Sequence, residues 1–199
     1  MTHPQLRGIV FDMDGTLLDS ALDFHAMRSE MGLDEHVPIL ETLRHMPEAE
    51  RLRCEEILHR HEWAGADRAV PMPGAIEFLA TLDRREIPHA VFTRNGRKLT
   101  LSVLARLEMH FEIVLTREDG PAKPDPAVLL ALCRQWGLAP QEVAMIGDYH
   151  YDINAGRNAG TRTVLYTGGQ DLSHFPWAAE ADMLLHSFHD AEELLLGQA

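Results

Sequence analysis

The sequence predicts an α/β protein: a doubly wound parallel sheet with a small helical domain inserted after the first strand. Three observations carry that expectation. Short, wholly apolar runs recur, as expected of strands buried on both faces of a sheet. Helical segments alternate with these runs, the pattern of βαβ units and parallel pairing. The alternation is interrupted once, by about 50 residues that read as helix alone.

The first apolar run, Ile9-Val10-Phe11, stops abruptly at Asp12. From Leu18 to about Ala66 the chain changes character. Ser20 to Met31 reads as a helix with Phe24, Met27 and Met31 on one face and Gly32 as its stop. Val37–His45 and Pro47–Trp63 read as two more, the second with proline where a helix start tolerates it. Pro71-Met72-Pro73-Gly74 cannot continue a helix and marks a boundary. These signals divide the chain into an α/β core, 1–17 and 72–199, and a helical domain, 18–71.

Beyond the boundary, Ala75–Arg85 is expected as helix, His89–Phe92 as strand, Arg97–Leu107 as helix and Glu112–Leu115 as strand. Pro126–Trp136 follows as helix, with Asp125 as its N-cap and Pro126 at its first position. Val143–Ile146 is a strand running into Gly147-Asp148, and Tyr151–Asn158 a helix closed by Gly160. Thr163–Tyr166 and Met183–Leu185 are the last strands, and His189–Leu196 a closing helix.

The bulk properties narrow the function. The 199 residues carry a formal net charge of −13, which disfavours nucleic acid and anionic membrane surfaces as partners. The opening Met1–Gln5 has no charged head before an apolar stretch, and no run approaches a membrane span. The two cysteines, Cys54 and Cys133, are far apart and fit reduced thiols. A soluble, cytoplasmic protein is expected, monomer or homodimer.

Ligands of an open α/β sheet bind beyond the carboxyl ends of its strands. Three strands here end in groups suited to phosphate chemistry: Asp12-Met13-Asp14-Gly15-Thr16, Thr93-Arg94-Asn95, and Gly147-Asp148. Asp12 and Asp14 are two apart, so in extended backbone they point the same way, and two like charges side by side call for a cation. Magnesium accepts carboxylates, waters and substrate phosphate together, and Asp148 offers a third acid. One carboxylate can attack phosphorus while the other protonates the leaving alkoxide and then activates water. Lys123 and the Thr93 hydroxyl suit the charge spread over a phosphoryl group in transfer. Gly15 permits a tight turn with backbone N–H groups near the phosphate. Asp152, four residues after Asp148, is placed to hold Lys123 charged and oriented. Asn95 is a candidate substrate contact or a helix cap. Arg94 reaches a second anionic group of the substrate or faces solvent.

With "DMDGTLLDS", the Thr of "VFTRNG", the Lys of "KPDP" and "GDYHYDINAG", the chain resembles the haloacid dehalogenase superfamily of phosphohydrolases. The likeness runs from Gly8 to about Tyr166, and "PMPGAIEFLATL" looks like the family's return from its cap into the core. The resemblance implies a Rossmann-like core with Asp12 as nucleophile, Asp14 as acid/base, and Thr93 and Lys123 on the phosphoryl group. It also implies a magnesium site made of the Asp12 side chain, the Asp14 main-chain carbonyl and Asp148, with Asp152 as the second acid of the last motif. The helical insertion looks like a cap of the first type, as in phosphoglycolate phosphatase-like members, closing over the site. Thr-Arg-Asn in place of the frequent Ser-Asn, Tyr149 and His150 in the last motif, and the short cap depart from the usual pattern.

The expected activity is magnesium-dependent hydrolysis of a small phosphomonoester through an aspartyl-phosphate. A phosphomutase of the beta-phosphoglucomutase type is the alternative. Dehalogenation is disfavoured by Asp14, because halide needs no protonation, and a non-catalytic binding protein is disfavoured by four intact motifs.

Overall fold

The computed structural model describes residues 6–20 and 22–197. Met1–Gln5, read above as free of a leader, and Ala21, within the expected first helix, lie outside the described residues. The chain forms two compact units, Met1–Asp19 with Val70–Ala199, and Ser20–Ala69.

The strands are β1 (Gly8–Phe11), β2 (Leu18–Asp19), β3 (Val70–Pro71), β4 (His89–Phe92), β5 (Ile113–Leu115), β6 (Val143–Gly147), β7 (Arg162–Tyr166) and β8 (Met183–Leu185). Six of them make one parallel sheet in the order β5-β4-β1-β6-β7-β8. The winding leaves β1 towards β4 and β5, then returns to β6 on its other side, so the switch of direction falls at β1. Every residue of β1 and β6 is buried, as the apolar runs require. β2 and β3 pair antiparallel in a two-stranded ribbon, Leu18 with Pro71 and Asp19 with Val70. Leu18–Asp19 was expected to open the helical segment; it is strand instead, because Val70 and Pro71 return alongside it.

The helices of the sheet unit are, with the first three numbers taken by the other unit (below), α4 (Ala75–Arg84), α5 (Arg97–Arg106), α6 (Ala127–Trp136) and α7 (His150–Ala159). Side chains alternate across the sheet. Val10, Ala90, Phe92, Val143 and Met145 pack with Leu129, Leu132 and Cys133 of α6 and with Ala155 and Ala159 of α7. On the opposite face Phe11 meets Phe78 of α4 edge-on, with centroids 6.1 Å apart, and Phe188 at 6.0 Å. Helices on both faces make the sheet doubly wound.

Two helix signals differ from expectation. Pro126 is the N-cap residue of α6, and Asp125 Oδ1 accepts from Ala127 N at 2.9 Å, so the cap lies one residue later than expected. The closing helix is replaced by a 3-10 turn, Phe188–Asp190, and a π turn, Glu192–Leu196. Phe188 stacks on Tyr166 at 4.7 Å and on Phe78 at 5.9 Å, while Leu195 and Leu196 turn inwards. Burying both ends of so short a segment outweighs a regular i→i−4 ladder.

The second unit holds α1 (Phe24–Met31), α2 (Ile39–Leu43) and α3 (Glu48–Arg68). α1 begins at Phe24, not Ser20, because the Asp23 side chain caps it by accepting from Ala26 N at 2.8 Å. Met27 and Met31 are buried with Ile39, Leu43, Cys54, Ile57 and Leu58, but Phe24, expected on that face, is 48% exposed. Pro38 delays the start of α2. Glu30 takes both Arg60 and His61, tying α1 to α3. Cys54 and Cys133 are buried free thiols. Among the described residues no helix is long and apolar enough to cross a membrane.

Leu129 is fully buried between α6 and the sheet. Leu129→Ala is expected to lower unfolding free energy by about 2–5 kcal/mol, read from the urea midpoint at unchanged m.

Candidate active site

Strand register brings the chemistry together. Phe11 pairs with Val91 of β4 on one side and Ile146 of β6 on the other. The next residues at each carboxyl end, Asp12, Phe92-Thr93 and Gly147-Asp148, therefore sit side by side at the switch point. Asp12 N donates to Ile146 O at 2.8 Å, and Thr93 N to Leu115 O at 2.9 Å, extending the ladder into the site.

Beyond Asp12 the backbone does not stay extended. Met13 O accepts from Thr16, Leu17 and Leu18 N–H groups at 3.3, 2.9 and 3.1 Å, closing a tight loop over the buried Met13 side chain. Asp12 and Asp14 each have their own partner. Lys123 Nζ bonds Asp12 Oδ1, and Asn95 Nδ2 donates to Asp14 Oδ2. Gly15 sits at φ 79°, and a Cβ there would come 2.7 Å from Asp148 Cγ. Glycine is required for the turn and for the approach of Asp148. Its own N–H donates to Leu18 O at 2.8 Å, within the tight turn that the glycine permits.

Lys123, next to the cis Lys123–Pro124 peptide, is 2% exposed and bonds Asp152 Oδ1 at 2.5 Å as well as Asp12. Its ring neighbour is Phe92, 5.3 Å from Nζ to centroid. Asp152 reaches the site from the first turn of α7, where its second oxygen accepts from Tyr149 N at 3.0 Å. Gly147 lets it in: a Cβ there would overlap the Asp152 side chain. Thr16, for which the motif spacing assigns no role, donates to Asp148 Oδ1 at 3.2 Å. Only its place directly after Gly15 could have signalled this. Asn95, 8% exposed, orients Asp14, while the N-cap of α5 is Gly96. The Thr93 hydroxyl accepts from Asn95 N at 3.2 Å. Arg94 lies 4.3 Å above the Tyr151 ring.

Burial dominates the electrostatics. Asp12 is pushed well above the usual carboxylate range by burial, with Asp152 and Asp148 adding to the rise and Lys123 opposing it. Asp148 is pushed up to about 7 by burial and then by Asp152. Burial alone would lower Lys123, but Asp12 and Asp152 outweigh it and raise the ammonium above its ordinary range. Lysine is thus charged at every physiological pH, while the carboxylates around it are in excess.

Among the described residues, one oxygen each from Asp12, Asp148 and Asp152 lies within 4.8 Å of the other two. Clustered hard oxygen donors of this kind suit a hard divalent cation. Asp152 is already engaged by Lys123 and Tyr149 N, which leaves Asp12 and Asp148 as the side chains better placed to take one. The Asp14 carboxylate stands outside the cluster, on Asn95.

The sequence matches the family described as haloacid dehalogenase-like hydrolase over residues 9–166. The chain belongs to that family. A haloacid dehalogenase-like hydrolase domain-containing protein of Arabidopsis thaliana is 36% identical over 81% of this chain and 71% of its own length. The N-acetylmuramic acid 6-phosphate phosphatase of Pseudomonas aeruginosa is 32% identical over 82% of both. In structure, a predicted phosphoglycolate phosphatase from Haemophilus somnus 129pt superposes with a TM-score of 0.76 at 23% identity, covering 97% of this chain and 99% of that one.

The fold favours protonated Asp148, so between about pH 4 and pH 7 the folded chain holds more protons here than the unfolded chain, and stability at this group falls as pH rises. In chelator at about pH 8, Asp148→Asn is therefore expected to melt above the wild type, with the gap shrinking towards pH 4. A gap that widens towards acid would contradict the assignment.

Proposed function

We propose that this phosphatase of the haloacid dehalogenase family hydrolyses a small phosphomonoester in two steps, with Asp12 as the nucleophile. The observation that carries the reading is the buried Asp12–Lys123–Asp152 network at the switch point of the sheet, with Asp14 oriented separately by Asn95. A relative at 32% identity named for a phosphomonoester supports the substrate class.

In the first step a carboxylate oxygen of Asp12 attacks phosphorus as the bond to the alcohol oxygen breaks, and Asp14 gives that oxygen a proton. In the second, Asp14 takes a proton from water, the water oxygen attacks phosphorus, and the aspartyl bond breaks to release phosphate and restore Asp12. Lys123 places fixed positive charge beside the nucleophile, where the phosphoryl oxygens gather negative charge, and the Thr93 hydroxyl is a further donor for them. Asp152 holds the lysine in position, and Asn95 keeps Asp14 turned to the reacting bond. Asp12 and Asp148, with the main-chain carbonyl of Asp14, would hold magnesium, which when bound supplies neutralising charge to the phosphoryl group. Local cations of this sort answer the problem set by a chain of net charge −13 that must admit an anion.

The test is release of inorganic phosphate from p-nitrophenyl phosphate and alkyl phosphates. Activity is expected to vanish in EDTA and return with magnesium, and Asp12→Asn is expected to lose roughly a thousandfold or more in kcat. Undiminished turnover by that variant would remove Asp12 from the role, and isomerisation of a sugar phosphate with little phosphate released would indicate a mutase instead. Asp14→Asn is expected to slow alkyl phosphates by about a hundredfold or more, and p-nitrophenyl phosphate less in a single turnover, because nitrophenolate leaves without a proton.

A further inference from the structure

The loop from β6 into α7 carries an aromatic group that the phosphoryl chemistry does not use. Tyr149 follows Asp148 directly and is 45% exposed. In the sheet unit it is the one aromatic among the large exposed hydrophobic residues described, and it stands at the carboxyl end of the strands. Its ring is packed on three sides, with centroids 4.3 Å from His150, 5.3 Å from Tyr151 and 5.0 Å from Trp177. His150 in turn lies 4.1 Å from Tyr151 and 5.6 Å from Trp177. Trp177 is braced edge-on by Phe175 at 6.1 Å, and Arg94 covers Tyr151 from above. An exposed ring held this firmly loses little freedom when something stacks on it.

The backbone beneath that ring is tied to the reacting centre. Tyr149 N donates to Asp152, Asp152 bonds Lys123, and Lys123 bonds Asp12. Tyr149 therefore keeps a set position relative to the nucleophile. The His150 ring adds a second aromatic face to the shelf.

We propose that Tyr149, braced by His150 and Trp177, is a specificity-determining stacking face for the leaving group, selecting phosphomonoesters whose alcohol carries a ring, a pyranose in particular, over short acyclic ones. A pyranose offers one face of C–H groups to an aromatic ring while its hydroxyls stay in water. A two- or three-carbon alcohol has too little surface to cover Tyr149. This inference rests on the phosphatase reading and extends it to the substrate.

The test compares glucose 6-phosphate with glycerol 3-phosphate and 2-phosphoglycolate, all esters of primary alcohols, in magnesium. Wild type is expected to favour the ring substrate in kcat/KM. Tyr149→Ala is expected to cut the ring-to-chain ratio by roughly three- to tenfold, through KM rather than kcat, and Tyr149→Phe to keep it. Equal use of ring and chain by wild type, a preference for 2-phosphoglycolate, or a Tyr149→Ala effect that scales all three substrates alike overturns the stacking role while phosphate release continues. Phosphate from none of them, nor from p-nitrophenyl phosphate, overturns the phosphatase reading and this inference together.

Discussion

A buried lysine shared by two buried carboxylates sets the terms for the rest of the molecule. Lys123 is out of water, and a lone ammonium there would cost several kcal/mol. It is stable because Asp12 comes from the end of β1 and Asp152 from the first turn of α7, each at bonding distance. That demands that β1, β6 and the loop before α6 keep one register. Gly147 meets the demand by leaving room for Asp152, and the apolar packing of α6 and α7 on the sheet holds it.

The same arrangement leaves the site under-neutralised. Asp12, Asp148 and Asp152 share one lysine, and burial raises the first two. A structure selected for stability alone would not gather three acids at one point. Such a place is poised to bind a cation. Thr16 and Asn95 limit the cost by giving Asp148 and Asp14 hydrogen bonds that do not add charge.

Much of this was legible in the sequence. Ile9–Phe11 and Val143–Ile146 read as strands because full burial on two faces admits only apolar side chains, and Asp12 and Asp148 stood out where those runs stop. The link between Asp152 and Lys123 followed from helical spacing and charge. Other features were not legible. The start of α1 depended on the Asp23 side chain, which accepts from Ala26 N three residues into what reads as continuous helix from Ser20. The closing segment has helical composition, yet the stack of Phe188 on Tyr166 and Phe78 bends it into 3-10 and π turns. Leu18–Asp19 forms strand only because a segment about fifty residues later returns beside it.

The sequence by itself determined the winding of the sheet, the family, and the residue types at the strand ends, because periodicity and short motifs are local properties of the chain. The tertiary structure decided how those residues divide their work. It gave Asp12 to Lys123 and Asp14 to Asn95, brought Thr16 to Asp148, and braced Tyr149 with His150, Tyr151 and Trp177. Hydrogen-bond partners and ring contacts join positions tens of residues apart, and only the register of the folded strands puts them within reach.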